Sequence, residues 1–162
     1  MQPSLCEEEL YRKAEVTAAG MLSRRPLSAA MLERKLLEKE FPPDATAYAV
    51  ERMRVLHAID DTAYGELLLR SYARKGYGAL RIRQEMRQRG VPQDVAAALL
   101  EQFEPDPEIL EALLDRKLRG DVSDRREREK AMAALQRRGF TFSQIREAMA
   151  DYCAAIAEEE TR

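Results

Sequence analysis

The chain contains no tryptophan, a single histidine and two cysteines, and aromatic residues make up only 6 % of it. Any core must therefore be built mainly from Leu, Ala, Met, Val and Ile. Cys6 and Cys153 stand near opposite ends, without the close spacing that metal ligation uses. The N-terminal stretch has neither the basic segment nor the apolar run of a secretory signal, so reduced thiols in the cytoplasm are expected. No run approaches the roughly 20 apolar residues that a membrane helix needs. His57 falls late in a helix beside apolar residues, where a partly buried packing or capping role is expected rather than that of a base. The phosphate-cradling pattern GxxxxGK[ST] is missing, and Gly76-Tyr77-Gly78 lacks the continuation of a dinucleotide fingerprint. Asp60-Asp61 has no further carboxylates or histidines spaced to complete a metal site, and reads instead as a helix N-cap with a partner for the helix dipole. No enzyme activity, cofactor or metal is expected.

What the chain does have is charge and helical periodicity. Of 162 residues, 35 % are charged and 45 % are apolar. The apolar share is too high for a disordered chain, and the charged share suits thin helical modules with much exposed surface. Net charge is only −2. Its distribution is uneven: residues 70–90 hold seven basic and one acidic residue, 91–115 hold seven acidic and no basic, and 116–138 hold nine basic and four acidic. Alternating blocks of this kind create sided fields without a large net charge.

The apolar pattern runs at helical spacing throughout, and no alternating stretch of strand length interrupts it. A helix over Glu7–Leu22 places Leu10, Ala14, Thr17/Ala18 and Met21/Leu22 on one face. Ser28 is positioned to cap a second helix with Leu32, Leu36 and Leu37 inward, and Asp44 a third carrying Ala45, Tyr48, Ala49, Met53 and Leu56. The plan then repeats. Asp60 or Asp61 opens a helix through Tyr64, Leu67/Leu68 and Tyr72, interrupted by Gly76 and Gly78. A basic helix over Ala79–Arg89 follows and ends at Gly90, and Pro92 opens a helix with Val95, Ala98, Leu99 and Phe103 inward. After Pro105-Asp106-Pro107 come a helix with Ile109, Leu110, Leu113, Leu114 and Leu118, another from Ser123 or Asp124 to Arg138, and a last one capped by Ser143. The repeat shows as register: Ala45, Val95 and Ile145 are 50 apart, Leu36, Met86 and Leu135 correspond, and so do the corner residues Phe41, Val91 and Phe140. The expectation is an all-α fold of three tandem three-helix modules, 1–57, 58–104 and 105–162, in an elongated, curved array.

Two basic clusters are the candidate partner-binding residues. Arg70, Arg74 and Lys75 end one helix, Tyr77 follows, and Arg81, Arg83, Arg87 and Arg89 continue on the next. Cations at a helix C-terminus also complement its dipole, and Glu85 lies four residues from both Arg81 and Arg89, so part of this charge is spent locally. The second cluster, Arg116, Lys117, Arg119, Arg125, Arg126 and Arg128, surrounds Gly120. In the first module the middle helix mixes Glu33, Glu38 and Glu40 with Arg34, Lys35 and Lys39, so contact is expected in the second and third modules, with Tyr64, Ile82 and Met86 as core. Nucleic acid is one partner that fits such a surface, and an acidic, repetitive protein surface is another. The helices lack an Asn/Gln/Arg set for reading bases, so any DNA contact is expected to carry little sequence preference.

One stretch carries a resemblance. It has an aspartate pair followed by an aromatic (Asp60, Asp61, Tyr64) and then an aromatic-glycine corner (Tyr77, Gly78). An Arg-Ile-x-x-Glu-Met-x-x-Arg-Gly helix completes it over Arg81–Gly90. In this order the set resembles the central module of the RecX family, regulators of the RecA recombinase. The resemblance implies tandem three-helix modules and a non-enzymatic, mainly negative regulator, expected as a monomer. It also implies binding in the groove of RecA–DNA filaments, with effects on filament growth, ATP hydrolysis, strand exchange and SOS coprotease activity. Two other readings of the residues remain: a helical protein that binds DNA or RNA directly, and a helical scaffold for an unrelated protein.

Overall fold

A computed structural model describes residues 5–162. Among the described residues there are nine α-helices and no strand. The first triplet is α1 (Leu5–Arg24), α2 (Ala29–Glu38) and α3 (Pro43–Val55). The second is α4 (Asp61–Arg74), α5 (Ala79–Gln88) and α6 (Gln93–Glu101), and the third is α7 (Pro107–Leu118), α8 (Arg125–Arg137) and α9 (Phe142–Glu160). The all-α expectation and the threefold repeat of helices hold.

Helix starts follow local chemistry. Ser28 caps α2, its hydroxyl accepting the Met31 N–H at 3.1 Å. The Asp60 carboxylate accepts the Ala63 N–H at 3.1 Å and so caps α4. Asp61 does something else: its carboxylate accepts the N–H of Ala29 at 3.0 Å, tying the start of α4 to the start of α2. Asp106 and Asp124 cap α7 and α8. Two expected caps are corrected. Asp44 sits in the first turn of α3, whose N-cap is Pro42 and has no side-chain cap bond. Ser143 lies inside α9, which is capped by Thr141 in a reciprocal box with Gln144.

Three helix ends share one geometry. Glu40, Gly90 and Gly139 follow the middle helix of each triplet and take φ of 68°, 77° and 94°. Glycine adopts this left-handed conformation freely, whereas at Glu40 the Cβ makes it cost about 1–2 kcal/mol. His57 also has positive φ, 56°, just past α3, and is exposed. It is thus a chain-reversal residue in solvent and not the partly buried one anticipated.

The chain divides into two compact units. One gathers the described residues through Leu67 with Met86–Ala96, and the other gathers Leu68–Glu85 with Ala97–Arg162. In the first unit Ala14 and Ala18 of α1 meet Ala45 and Ala49 of α3, all four wholly buried. Four methyl groups at this interface let the two helices approach closely, and Leu32, Leu36 and Met53 fill the remaining core. The second unit packs Leu110, Leu114, Leu118, Leu135, Phe140, Ile145 and Met149 together. Tyr152 completes that core with its hydroxyl satisfied, donating to Asp115 at 2.8 Å and accepting from the Gly120 N–H at 2.9 Å.

Tyr64, Ile82 and Met86 are buried as anticipated. Other inward assignments move. Leu37, Tyr48, Leu56 and Leu67 are 43 %, 40 %, 54 % and 45 % exposed. Leu56 lies at the C-cap of α3, beyond the helical stripe, and Leu37 and Leu67 are each about 100° round the helix from a buried leucine. Tyr48 instead stacks on Tyr11, with ring centroids 5.2 Å apart. In α6 the buried pair is Ala96 and Leu100, one position beyond Val95 and Leu99, while Ala98 is exposed. Both stripes are apolar, so periodicity alone does not choose between them. Cys6 and Cys153 are free thiols.

Candidate partner-binding surface

The end of α4 carries three exposed cations, Arg70, Arg74 and Lys75. Gly76, with φ of 86°, then reverses the chain and delivers Tyr77. The Tyr77 ring is half-buried and lies between two guanidinium groups. Arg81 is 5.5 Å from its centroid and Arg138 is 5.2 Å. The Tyr72 ring meets it at 5.6 Å in a tilted arrangement, and the Lys75 ammonium stands 5.1 Å from the Tyr72 ring. Cations over aromatic faces at these distances are held by the ring quadrupole.

Arg81 is the most constrained of the candidate cations. It pairs with Glu85 at 3.0 Å, and Glu85 also accepts the Tyr72 hydroxyl at 3.1 Å. Its Nε is buried without a hydrogen-bond partner. Arg81 and Tyr77 therefore form one contact group, in which the guanidinium is engaged on two sides. Arg83 and Arg87 differ. Both are exposed, one turn apart on α5, with no ion-pair partner among the described residues. Arg89 is half-buried, and its backbone carbonyl accepts the Ser28 hydroxyl at 2.5 Å.

The other cations lie on a separate corner. Arg116, Lys117 and Arg119 are exposed at the end of α7, where positive charge complements the helix dipole, and Arg119 takes φ of 51°. Asp121 accepts both the N–H and the hydroxyl of Ser123, which holds its carboxyl below the usual carboxylate range. Arg128, expected with this cluster, is instead half-buried and turns inward to donate to the Val122 carbonyl. Arg125 and Arg126 open α8, both exposed, and Arg125 pairs with Glu129 at 3.0 Å. Cations in a first helical turn oppose the dipole at a cost of about 0.3–1 kcal/mol each. The i,i+4 pair with Glu129 offsets part of that cost at Arg125, whereas helix stability gives no reason for Arg126.

The residue that sequence reasoning left out is Arg138. Its guanidinium donates to the carbonyls of Lys75 at 3.2 Å and Gly76 at 3.3 Å while covering Tyr77. Its backbone carbonyl accepts the Gly78 N–H at 2.8 Å, and the Gly139 carbonyl accepts the Leu80 N–H at 3.1 Å. The signal was present in the register, because Arg138 stands two residues before the corner Phe140, as Arg89 stands before Val91. The two positions do the same work: Ser28 bonds the Arg89 carbonyl as Gly78, 50 residues on, bonds that of Arg138. Each joint fits the start of one middle helix against the end of the next. A Cβ added at Gly90 would fall 2.7 Å from the Ala30 Cβ, and one at Gly78 would fall 2.5 Å from the Gly139 carbonyl.

Comparison with known families decides what this arrangement is. The model of the second three-helix domain of RecX matches residues 60–100, that of the third matches 104–149, and that of the first matches 14–53. The chain belongs to the RecX family. A regulatory protein RecX from Xanthomonas axonopodis pv. citri (strain 306) is 38 % identical over 133 residues, covering 81 % of this chain and 82 % of that protein. One from Halorhodospira halophila is 35 % identical over 146 residues, covering 88 % and 87 %. The crystal structure of RecX from Lactobacillus salivarius superposes with a TM-score of 0.84 at 18 % identity, over 91 % of this chain and 99 % of that one. A second RecX crystal structure gives a TM-score of 0.80 at 24 % identity, over 90 % of this chain and 75 % of that one. These likenesses establish the RecX fold for the chain. No described helix is long and apolar enough to cross a membrane, and no group of three or more described His, Cys, Asp or Glu residues is arranged to hold a metal.

Proposed function

We propose that this chain is a cytoplasmic, non-enzymatic regulator of RecA. It acts as a monomer in the groove of RecA–DNA filaments and mainly restrains filament growth, ATP hydrolysis, strand exchange and SOS coprotease activity. The observation that carries this reading, beside membership of the RecX family, is the set of exposed cations without an intramolecular counter-charge. Arg83 and Arg87 on α5, Arg116, Lys117 and Arg119 at the end of α7, and Arg126 on α8 have no ion-pair partner among the described residues. The contacts assigned to the modules at 58–104 and 105–162 are made by these residues. Arg70, Arg74 and Lys75 add to them, while Arg81 and Tyr77 hold the shape of the corner. Binding that favours one state of a filament shifts its population toward that state.

The test is RecA's ATPase on single-stranded DNA, with this protein titrated in at moderate salt and its binding to naked DNA measured alongside. A fall in ATPase at substoichiometric amounts, without tight binding to naked DNA, is expected. Unchanged ATPase with folded protein and intact filaments would overturn the proposal. Tight, steeply salt-dependent binding to naked DNA would assign the cations to nucleic acid instead.

A further inference from the structure

A groove of about 490 Å³ runs between α7 and α9, and the contacts described above do not use it. Its floor is apolar, formed by Leu110, Ala148, Tyr152 and Ala155. The floor is also rigid, because the Tyr152 hydroxyl is fixed by Asp115 and the Gly120 N–H and the ring cannot swing aside. On α9 the lining runs from Gln144 to Ala155, a length of about 16 Å. That length accommodates three helical turns or about five extended residues. Alanines at 148 and 155 let another backbone approach closely.

The rim has one sign of charge. Glu104 and Glu111 stand on one lip, Glu147 and Asp151 on the other, and no Lys or Arg lines the groove. All four carboxylates are exposed, and among the described residues none pairs with a cation. Glu147 and Asp151 are four apart on one helix, a like-charge spacing that costs the helix stability. Burial and the bond to Asp115 push the Tyr152 phenol upward, and the charges of Asp115 and Glu111 add to the shift, as a negative local field requires. Such a field repels phosphate and so excludes nucleic acid. The described carboxylates do not converge as metal ligands do. What complements an apolar floor between acidic lips is a chain segment with apolar side chains on one face and Arg or Lys on its flanks.

We propose that the α7–α9 groove is a docking site for a basic amphipathic segment of a partner protein. The site is separate from the basic corners and stands whether or not they bind RecA. The probe is a fluorescein-labelled twelve-residue peptide of Arg, Leu and Ala with its leucines on one helical face, followed by fluorescence anisotropy against the full chain. Saturable binding is expected. It should weaken about tenfold in the double variant Glu147→Gln/Asp151→Asn, since two charge pairs are lost. Ala148→Trp, which fills the groove without changing charge, should weaken it similarly. Glu158→Gln/Glu159→Gln removes as much charge from the end of α9 and should leave affinity within about twofold. A matching peptide with serine in place of leucine should bind at least tenfold more weakly. Equal loss in the two double variants, equal binding of the serine peptide, or no binding of the leucine peptide would overturn the proposal. Displacement of the peptide by millimolar calcium from the wild type but not from Glu147→Gln/Asp151→Asn would assign the carboxylates to a cation and overturn it too. Should Ala148→Trp fail to fold, as circular dichroism would show, the charge variants and the two peptides still decide the matter.

Discussion

Gly78 and Arg138 are bound to each other by backbone and set by side chain: the Gly78 N–H donates to the Arg138 carbonyl at 2.8 Å, and the Arg138 guanidinium returns to the carbonyls of Lys75 and Gly76. The same guanidinium covers Tyr77, so one residue satisfies the carbonyls left by α4, closes an aromatic contact and accepts the start of α5. Arg138 thus has three separable contributions to one corner.

Gly78→Ala tests the backbone half of that relationship. The new Cβ would meet the Gly139 carbonyl and the Phe140 nitrogen, both main-chain atoms that cannot rotate away. We expect a loss of about 2 kcal/mol or more in urea unfolding. Gly20→Ala is the control. Gly20 lies exposed in α1 with nothing within 4 Å of its would-be Cβ, so this change should stabilise by up to about 1 kcal/mol.

Charge reversal separates contact from structure on α5. Arg83→Glu/Arg87→Glu should leave helix content unchanged and stability within about 1 kcal/mol, because both side chains are exposed and unpaired. Its effect on RecA's ATPase should be lost. Arg81→Gln should lower the melting temperature instead, since it removes the pair with Glu85 and the contact with Tyr77. Circular dichroism melts read beside the ATPase assay distinguish the two classes.

Tyr152→Phe should cost about 1–2 kcal/mol, because it strips Asp115 of a donor and the Gly120 N–H of an acceptor. In the wild type the Tyr152 phenol titrates above its ordinary value of 10.0, chiefly through burial and the bond to Asp115. The raised value means the fold prefers the neutral phenol. That contribution is full below pH 10 and is lost as pH rises beyond it, where the unfolded chain ionises first. Stability should therefore fall more steeply above about pH 10 in the wild type than in Tyr152→Phe. Denaturant midpoints measured from pH 8 to 11 check this.

Glu40→Gly should stabilise by about 0.5–1 kcal/mol. It relieves a left-handed side chain, and the entropy of the unfolded glycine offsets part of the gain. An unchanged or lowered denaturation midpoint would show that the Glu40 side chain contributes something its backbone strain hides.

Much of this was legible in the residues because helices leave local signals. Ser28 before an apolar stripe, Gly90 before Pro92, and the register of Leu36, Met86 and Leu135 give helices, ends and repeat from spacing alone. The cap of α9 was legible too: Thr141-Phe142-Ser143-Gln144 fits the capping box, whereas Ser143 has Arg146 three residues on. Asp61 was not legible in its actual role, because its partner, the Ala29 N–H, is 32 residues away and no local pattern encodes it. The same holds for Arg138, whose partners lie more than 60 residues earlier. The α7–α9 groove was visible only as a run of acidic residues at 91–115. Packing had to bring Glu104 and Glu111 opposite Glu147 and Asp151.

The joints at Arg89 and Arg138 use main-chain carbonyls as acceptors. Every amino acid has that carbonyl, so no substitution at either position deletes the bond. Sequence drift can therefore rewrite the outward charges of α5 and α8, and with them the choice and strength of partner, while the spacing between successive helices is kept. The exceptions are Gly78, Gly90 and Gly139, where any side chain intrudes. Tolerance to mutation in this chain is divided accordingly, wide on the surfaces that recognise and narrow at three small residues that recognise nothing.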